Sequence, residues 1–206
     1  MIKEKFNQWD KISEWIGGFF GVLPLSPFFY TAFSLFVAAI ALFFAYTQRY
    51  WVTILLFTLA ALCDIVDGAV ARYQHKASAL GAFLDGVFDR IIDFALIFSY
   101  FFFDIQPCWF DKALWICLTS FVVILPSFNV AYANHRHAVH SDDEKLIWRL
   151  MNRGEMYLFM LAILIVSLYQ PVYAGYILMT LVGLSVITII QTIIGTVYHA
   201  RLQKYV

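Results

Sequence analysis

Apolar residues fall in six runs along this chain, at about 27–46, 51–73, 80–103, 112–133, 154–169 and 172–197. Their lengths centre on the roughly 20 residues that a helix needs to cross the hydrocarbon core of a bilayer. Short polar breaks such as Thr47-Gln48-Arg49 and Tyr169-Gln170-Pro171 separate them, with one longer hydrophilic segment from Asn134 to Arg153. The pattern predicts an all-α, polytopic membrane protein with six transmembrane helices. Ahead of the first run, Phe6, Trp9, Ile12 and Ile16 recur at helical spacing with Lys3, Lys5 and Lys11 between them. Such a segment predicts an N-terminal amphipathic helix over 3–16 lying in the membrane interface, ended by Gly17, Gly18, Gly21 and Pro24. Its charges interrupt the continuous apolar stretch that a cleaved leader needs, so no cleavage is expected. No linker, repeat or low-complexity tract divides the chain, so residues 1–206 are expected to form a single domain with its six-helix core over 27–200.

Composition strengthens the membrane reading. Hydrophobic residues make up 62% of the chain, charged ones 14%, and the mean hydropathy is +0.75, far from the make-up of an ordinary soluble domain. Fourteen basic residues balance fourteen acidic ones, so no basic field recruits nucleic acid and anion binding has to come from local clusters. With both termini in the cytosol, only Arg49 and Lys112 of the 14 Lys and Arg residues fall outside. That asymmetry puts the termini and the site on the cytosolic side, and the expected setting is a prokaryotic cytoplasmic membrane. Cys63, Cys108 and Cys117 show neither pairing nor C-x-x-C spacing and read as core residues. His135, His137 and His140 lie in the hydrophilic segment without a companion cluster and read as solvated.

Against this apolar background, the segment DIVDGAVARYQHKASALGAFLDGVFDR carries four aspartates, Asp64, Asp67, Asp85 and Asp89, inside the second and third expected helices. An isolated Asp at a helix centre costs about 2.5–3.5 kcal/mol on insertion scales, so four call for compensation. The spacings i, i+3 and i, i+4 put each pair on one face of its helix, and the short connection between the helices brings the pairs to similar depth. Arg72 and Arg90 cannot balance them alone. Oxygen-only ligation suits Mg²⁺, Mn²⁺ or Ca²⁺ better than zinc or copper, and two such ions would leave the cluster close to neutral. A paired site of that kind clamps phosphate in displacement reactions. Gly68 and Ala71 leave one stripe of the second helix bare, Gly81 opens the matching gap on the third, and Arg72 can pair with phosphate. Carboxylates, a bare face and an arginine together suit a nucleotide diphosphate.

These residues also carry a resemblance. The sequence resembles the CDP-alcohol phosphotransferases, whose signature D-x2-D-G-x2-A-R-x8-G-x3-D-x3-D is matched without a gap by Asp64, Asp67, Gly68, Ala71, Arg72, Gly81, Asp85 and Asp89. The resemblance implies a homodimeric membrane enzyme that uses Mg²⁺ or Mn²⁺, with Asp64, Asp67 and Asp85 as metal ligands and Asp89 as both ligand and catalytic base. It places CDP against Asp64, Gly68, Ala71, Arg72, Gly81 and Asp85. The implied reaction moves a phosphatidyl-type group from a CDP-linked lipid donor to a polar alcohol, releasing CMP. One departure stands upstream, where many relatives have P-N-x-x-T and this chain has Pro27-Phe28-Phe29-Tyr30-Thr31, with Phe28 in place of asparagine.

For the acceptor, the ending Asp89-Arg90-Ile91-Ile92-Asp93 looks more like inositol-phosphate-accepting members than serine- or glycerol-phosphate-accepting ones. An anionic acceptor needs positive charge, and Arg90, Arg136, Lys145, Arg149, Arg153 and Arg201 are the candidates. Arg153 resembles the first arginine of an R-x-E-R segment in inositol-type relatives, but Met156 stands where the second would be, which leaves another polar head group open. A divalent-cation transporter is the competing class, since intramembrane carboxylates also mark ion paths. Its acids would lie at the midplane, whereas these cluster toward one side beside Arg72.

Overall fold

The structure is a computed structural model that describes residues 15–23, 25–136, 138–139 and 149–203. Among these, all regular elements are helical: α1 (15–21), α2 (Pro27–Tyr46), α3 (Tyr50–Tyr73), α4 (Ala79–Ser99) with a 3₁₀ turn over Tyr100–Phe102, α5 (Lys112–His135), α6 (Arg153–Ser167) and α7 (Pro171–Gln203). The all-α expectation holds. Four helices, α2, α3, α5 and α7, are long and apolar enough to cross a membrane. The other two expected spans fall short of that measure for different reasons. Helix α4 holds Asp85, Asp89, Arg90 and Asp93 within its 21 residues, and α6 has only 15 residues.

Local chemistry sets the helix ends. Pro27 opens α2, where its missing N–H costs nothing. The Asp111 carboxylate accepts from the Leu114 amide (2.8 Å) at the start of α5, and Glu155 accepts from the Asn152 amide (2.8 Å) at the start of α6.

The chain divides into two compact units, Met1–Ser99 and Tyr100–Val206. In the first, α2 packs on both α3 and α4. Its buried stripe of Ser34, Val37, Ala38, Ala41 and Ala45 is made largely of small residues, which is how helices approach closely where hydrophobicity supplies no drive between them. In the second, α7 packs on α5 and α6. The buried Tyr100 hydroxyl donates to the Met160 carbonyl (3.0 Å), and Gly175 leaves room for the Gln106 carbonyl, which a Cβ would strike.

The expected N-terminal helix needs a correction. Residues 1–14 and Pro24 lie outside the described residues, but Gly17, Gly18 and Gly21 sit within helix rather than ending it at residue 16. The reason is packing. A Cβ at Gly17 would lie 2.7 Å from the Ala69 carbonyl oxygen, and one at Gly21 would lie 2.5 Å from the Tyr73 ring. The glycines let α1 rest directly on the last turns of α3, and that benefit outweighs their poor helix propensity of about 1 kcal/mol each.

Candidate active site

Three of the four aspartates meet. Asp64 and Asp67 on α3 and Asp85 on α4 each offer an oxygen, and these oxygens lie within 4.8 Å of one another. Asp67 is only 5% exposed, and its Oδ2 is buried without a hydrogen-bond partner among the described residues. The Thr31 hydroxyl and the Gly68 backbone amide lie within hydrogen-bonding reach of the same carboxylate. Crowding three acids in this way, with the Asp67 Oδ2 orphaned, is costly unless a cation completes the group. The all-oxygen donor set fits a hard divalent ion.

Asp89 is buried but stands outside the close trio. Helical rise explains why. Asp85 and Asp89 are four residues apart, about 6 Å along the axis, whereas Asp64 and Asp67 are separated by about 4.5 Å.

Beside the trio opens a pocket of about 290 Å³. Asp67, Gly68, Ala71 and Arg72 of α3 line one side, and Gly81, Ala82 and Asp85 of α4 another. The residues expected at CDP are thereby brought together, with Asp64 contributing to the trio rather than to the lining. The remaining walls were missed in the sequence. They are Ser26, Pro27, Phe28 and Thr31 at the start of α2, and Lys76, Ala77 and Ser78 in the α3–α4 connection. Phe28 thus lies at the pocket although it departs from the asparagine of many relatives, and its ring contacts that of Phe88 (centroids 6.4 Å apart).

The α3–α4 connection is shaped by its own hydrogen bonds. His75 takes a left-handed backbone (φ 52°). The Lys76 amide reaches the Ala71 carbonyl (3.0 Å) and the His75 amide the Arg72 carbonyl (3.2 Å), which is the paired-bond pattern of a Schellman cap. The cap reverses the chain so that Lys76–Ser78 lie along the pocket. Ser78 then accepts from the Gly81 amide (3.1 Å) and starts α4. Serine three residues before Gly81 was a readable N-cap signal, and the spacing of Pro27 and Thr31 was a readable hint for the α2 wall.

Among the acceptor candidates, Arg90 donates to the fully buried Asp93 carboxylate (2.9 Å). Arg136, at the end of α5, donates from Nε to the Tyr132 hydroxyl (3.0 Å) and stacks its guanidinium over that ring. Arg149, Arg153 and Arg201 also belong to the second unit, and Arg201 is exposed. Lys145 and His137 lie outside the described residues.

Comparison with known proteins finds a family and a shared fold. The family model described as CDP-alcohol phosphatidyltransferase matches residues 25–196. An archaetidylinositol phosphate synthase of Aeropyrum pernix is 30% identical over 184 residues, 89% of each chain. An uncharacterized protein of Aquifex aeolicus is 34% identical over 128 residues, which make up 62% of this chain and 63% of that one. Among solved structures, the phosphatidylinositol phosphate synthase of Mycobacterium tuberculosis with CDP-DAG bound shares the fold. Its TM-score is 0.66 at 21% identity, over 90% of this chain and 94% of that one.

Proposed function

Since the chain belongs to the CDP-alcohol phosphatidyltransferase family and is a membrane phosphotransferase, we propose that it moves a phosphatidyl-type group from a CDP-linked lipid to a polar alcohol and releases CMP. The observation that carries this reading is the juxtaposition of the Asp64–Asp67–Asp85 trio with a pocket lined by Gly68, Ala71, Arg72 and Gly81. Mg²⁺ or Mn²⁺, as two ions, would be held by Asp64, Asp67, Asp85 and Asp89, and would neutralise the diphosphate and stabilise charge on the departing CMP. Gly68, Ala71 and Gly81 leave space for the nucleotide against backbone. Arg72 offers its guanidinium to a phosphate as paired N–H donors.

Asp89 takes the proton of the acceptor hydroxyl. That oxygen bonds to the phosphorus next to the lipid alcohol, the bond from that phosphorus to the oxygen shared with CMP breaks, and CMP carries away the electron pair. Burial of Asp89 beside the trio supports this role, because a base shielded from water keeps its proton transfer directed to the substrate.

The acceptor is inositol phosphate or a related polar head group. The Asp89-Arg90-Ile91-Ile92-Asp93 ending and the name of the Aeropyrum pernix relative support it, with Arg90, Arg136, Lys145, Arg149, Arg153 and Arg201 as the positive charge available to it. The family match runs without a break across both units, which supports one domain. We read α4 and α6 as the third and fifth of six spans, with α1 continuing the interfacial helix. Both termini and the site face the cytosol of a prokaryote, and the family resemblance implies a homodimer.

The test incubates the purified chain with labelled CDP-diacylglycerol, Mg²⁺ or Mn²⁺, and each of inositol phosphate, inositol, serine, glycerol phosphate and ethanolamine. Metal-dependent CMP release is expected, greatest with inositol phosphate. No release with any acceptor would sink the transfer reading and return the carboxylates to cation transport.

A further inference from the structure

We infer that Gln74 is a positioning residue for the nucleotide pocket, one side-chain amide that ties two of its walls together. The inference rests on the CDP reading above. Gln74 is the C-cap of α3. Its Nε2 donates to the Gly21 carbonyl (3.1 Å) and to the Leu25 carbonyl (3.2 Å). Both neighbours are acceptors, so only the NH₂ end of the amide can face them.

Leu25 and Gln74 each lead directly into a wall. Leu25 is followed at once by Ser26, Pro27 and Phe28, which line the pocket from the α2 side. Gln74 is followed, across the left-handed His75, by Lys76, Ala77 and Ser78, which line it from the α3–α4 side. A single side chain therefore joins two stretches separated by 49 and 53 residues in sequence. Each stretch reaches the pocket within two residues of the tie. Shifting either wall changes the width of the mouth through which a nucleotide enters.

The Oε1 of Gln74 is buried without a hydrogen-bond partner among the described residues, a cost that a leucine of similar size would not carry. A leucine removes that oxygen but also takes the donor from the Gly21 and Leu25 carbonyls, which are half-exposed and can turn to water. The strap keeps other anchors as well. The Tyr30 hydroxyl donates to the Phe20 carbonyl (3.2 Å), and Gly21 sits against the Tyr73 ring. Without Gln74 the segment stays folded but loses its register with the pocket.

The experiment compares full-length wild type and Gln74→Leu in lipid nanodiscs by CMP release from CDP-diacylglycerol, CDP titration with Mn²⁺, and thermal unfolding. The expected result is a rise of about tenfold in KM for the CDP-lipid, with matching weakening of CDP binding. The kcat should stay within about twofold and the Mn²⁺ affinity should match wild type, with the unfolding midpoint lowered by no more than about 4 °C. A fall in kcat at unchanged KM, or KM and CDP affinity equal to wild type, overturns the proposal. Should Gln74→Leu not fold, Gln74→Asn, too short to reach both carbonyls, is read by the same measures. A wild type that binds CDP but releases no CMP would defeat the transfer reading while leaving the titration arm for Gln74 intact.

Discussion

The two units bury hydroxyls alike, as Ser34 to the Thr31 carbonyl (2.7 Å) and Ser99 to the Leu96 carbonyl (2.6 Å) show in the first, but differ in what they do with acids. In the second, hydroxyls turn back on their own helices: Thr119 to the Trp115 carbonyl (2.7 Å), Ser167 to that of Leu164 (2.7 Å) and Thr188 to that of Leu184 (2.9 Å). Bonds between elements include that from Asn129 on α5 to the Thr192 hydroxyl on α7 (3.2 Å). Ser185 Oγ, buried without a partner among the described residues, departs from this habit. In the first unit three carboxylates from two helices, Asp67 buried and Asp64 and Asp85 half-buried, are gathered within 4.8 Å, with an orphaned oxygen on Asp67. Hydroxyls that satisfy themselves let helices pack in lipid at little cost, and nothing else is asked of them. Acids gathered against one another are costly by themselves, a cost that a bound cation would offset.

Substitutions that break this contrast should rank accordingly. The largest effect is expected at the trio, where Asp67→Asn should lower CMP release about a thousandfold or more and weaken Mn²⁺ binding in a titration. Its counterpart, Asp89→Asn, should lower turnover by about 10²–10⁴ with CDP binding preserved, and equal loss of CDP binding would make Asp89 chiefly a metal ligand. A smaller effect is expected at Gly81→Ala, whose Cβ would meet Ser78 Oγ at 3.1 Å and disturb the cap of α4. Steady-state kinetics should show KM for the CDP-lipid raised about fivefold, the equivalent of one lost cap. The smallest belongs to the second unit. Thr192→Val removes the Asn129 bond, and unfolding in mild detergent should register a loss of about 0.6 kcal/mol with CMP release unchanged.

Much of the site was legible because it is written at helical spacing. Asp64 and Asp67 on one face of α3, with Gly68, Ala71 and Arg72 following, required only the period of a helix and the cost of acids in lipid to be read as a site. Phe28 and Lys76 were not legible as pocket walls, since each reaches the pocket through a chain reversal or a neighbouring helix. The glycines of α1 misled for a related reason. Gly17 and Gly21 look like helix breakers until Ala69 and Tyr73 are seen against them.

The sequence by itself determined the helical class, the membrane setting, the cluster of acids and the family, because those depend on composition, period and short spacings within one or two helices. Tertiary structure alone decided that Asp64, Asp67 and Asp85 form the close trio while Asp89 stands apart, and that Phe28, Lys76 and Ser78 complete the pocket. It also decided that Gln74 bonds carbonyls 49 and 53 residues away. Such relations depend on how far one helix slides along another and where the chain turns back, and no local pattern of residues encodes either distance.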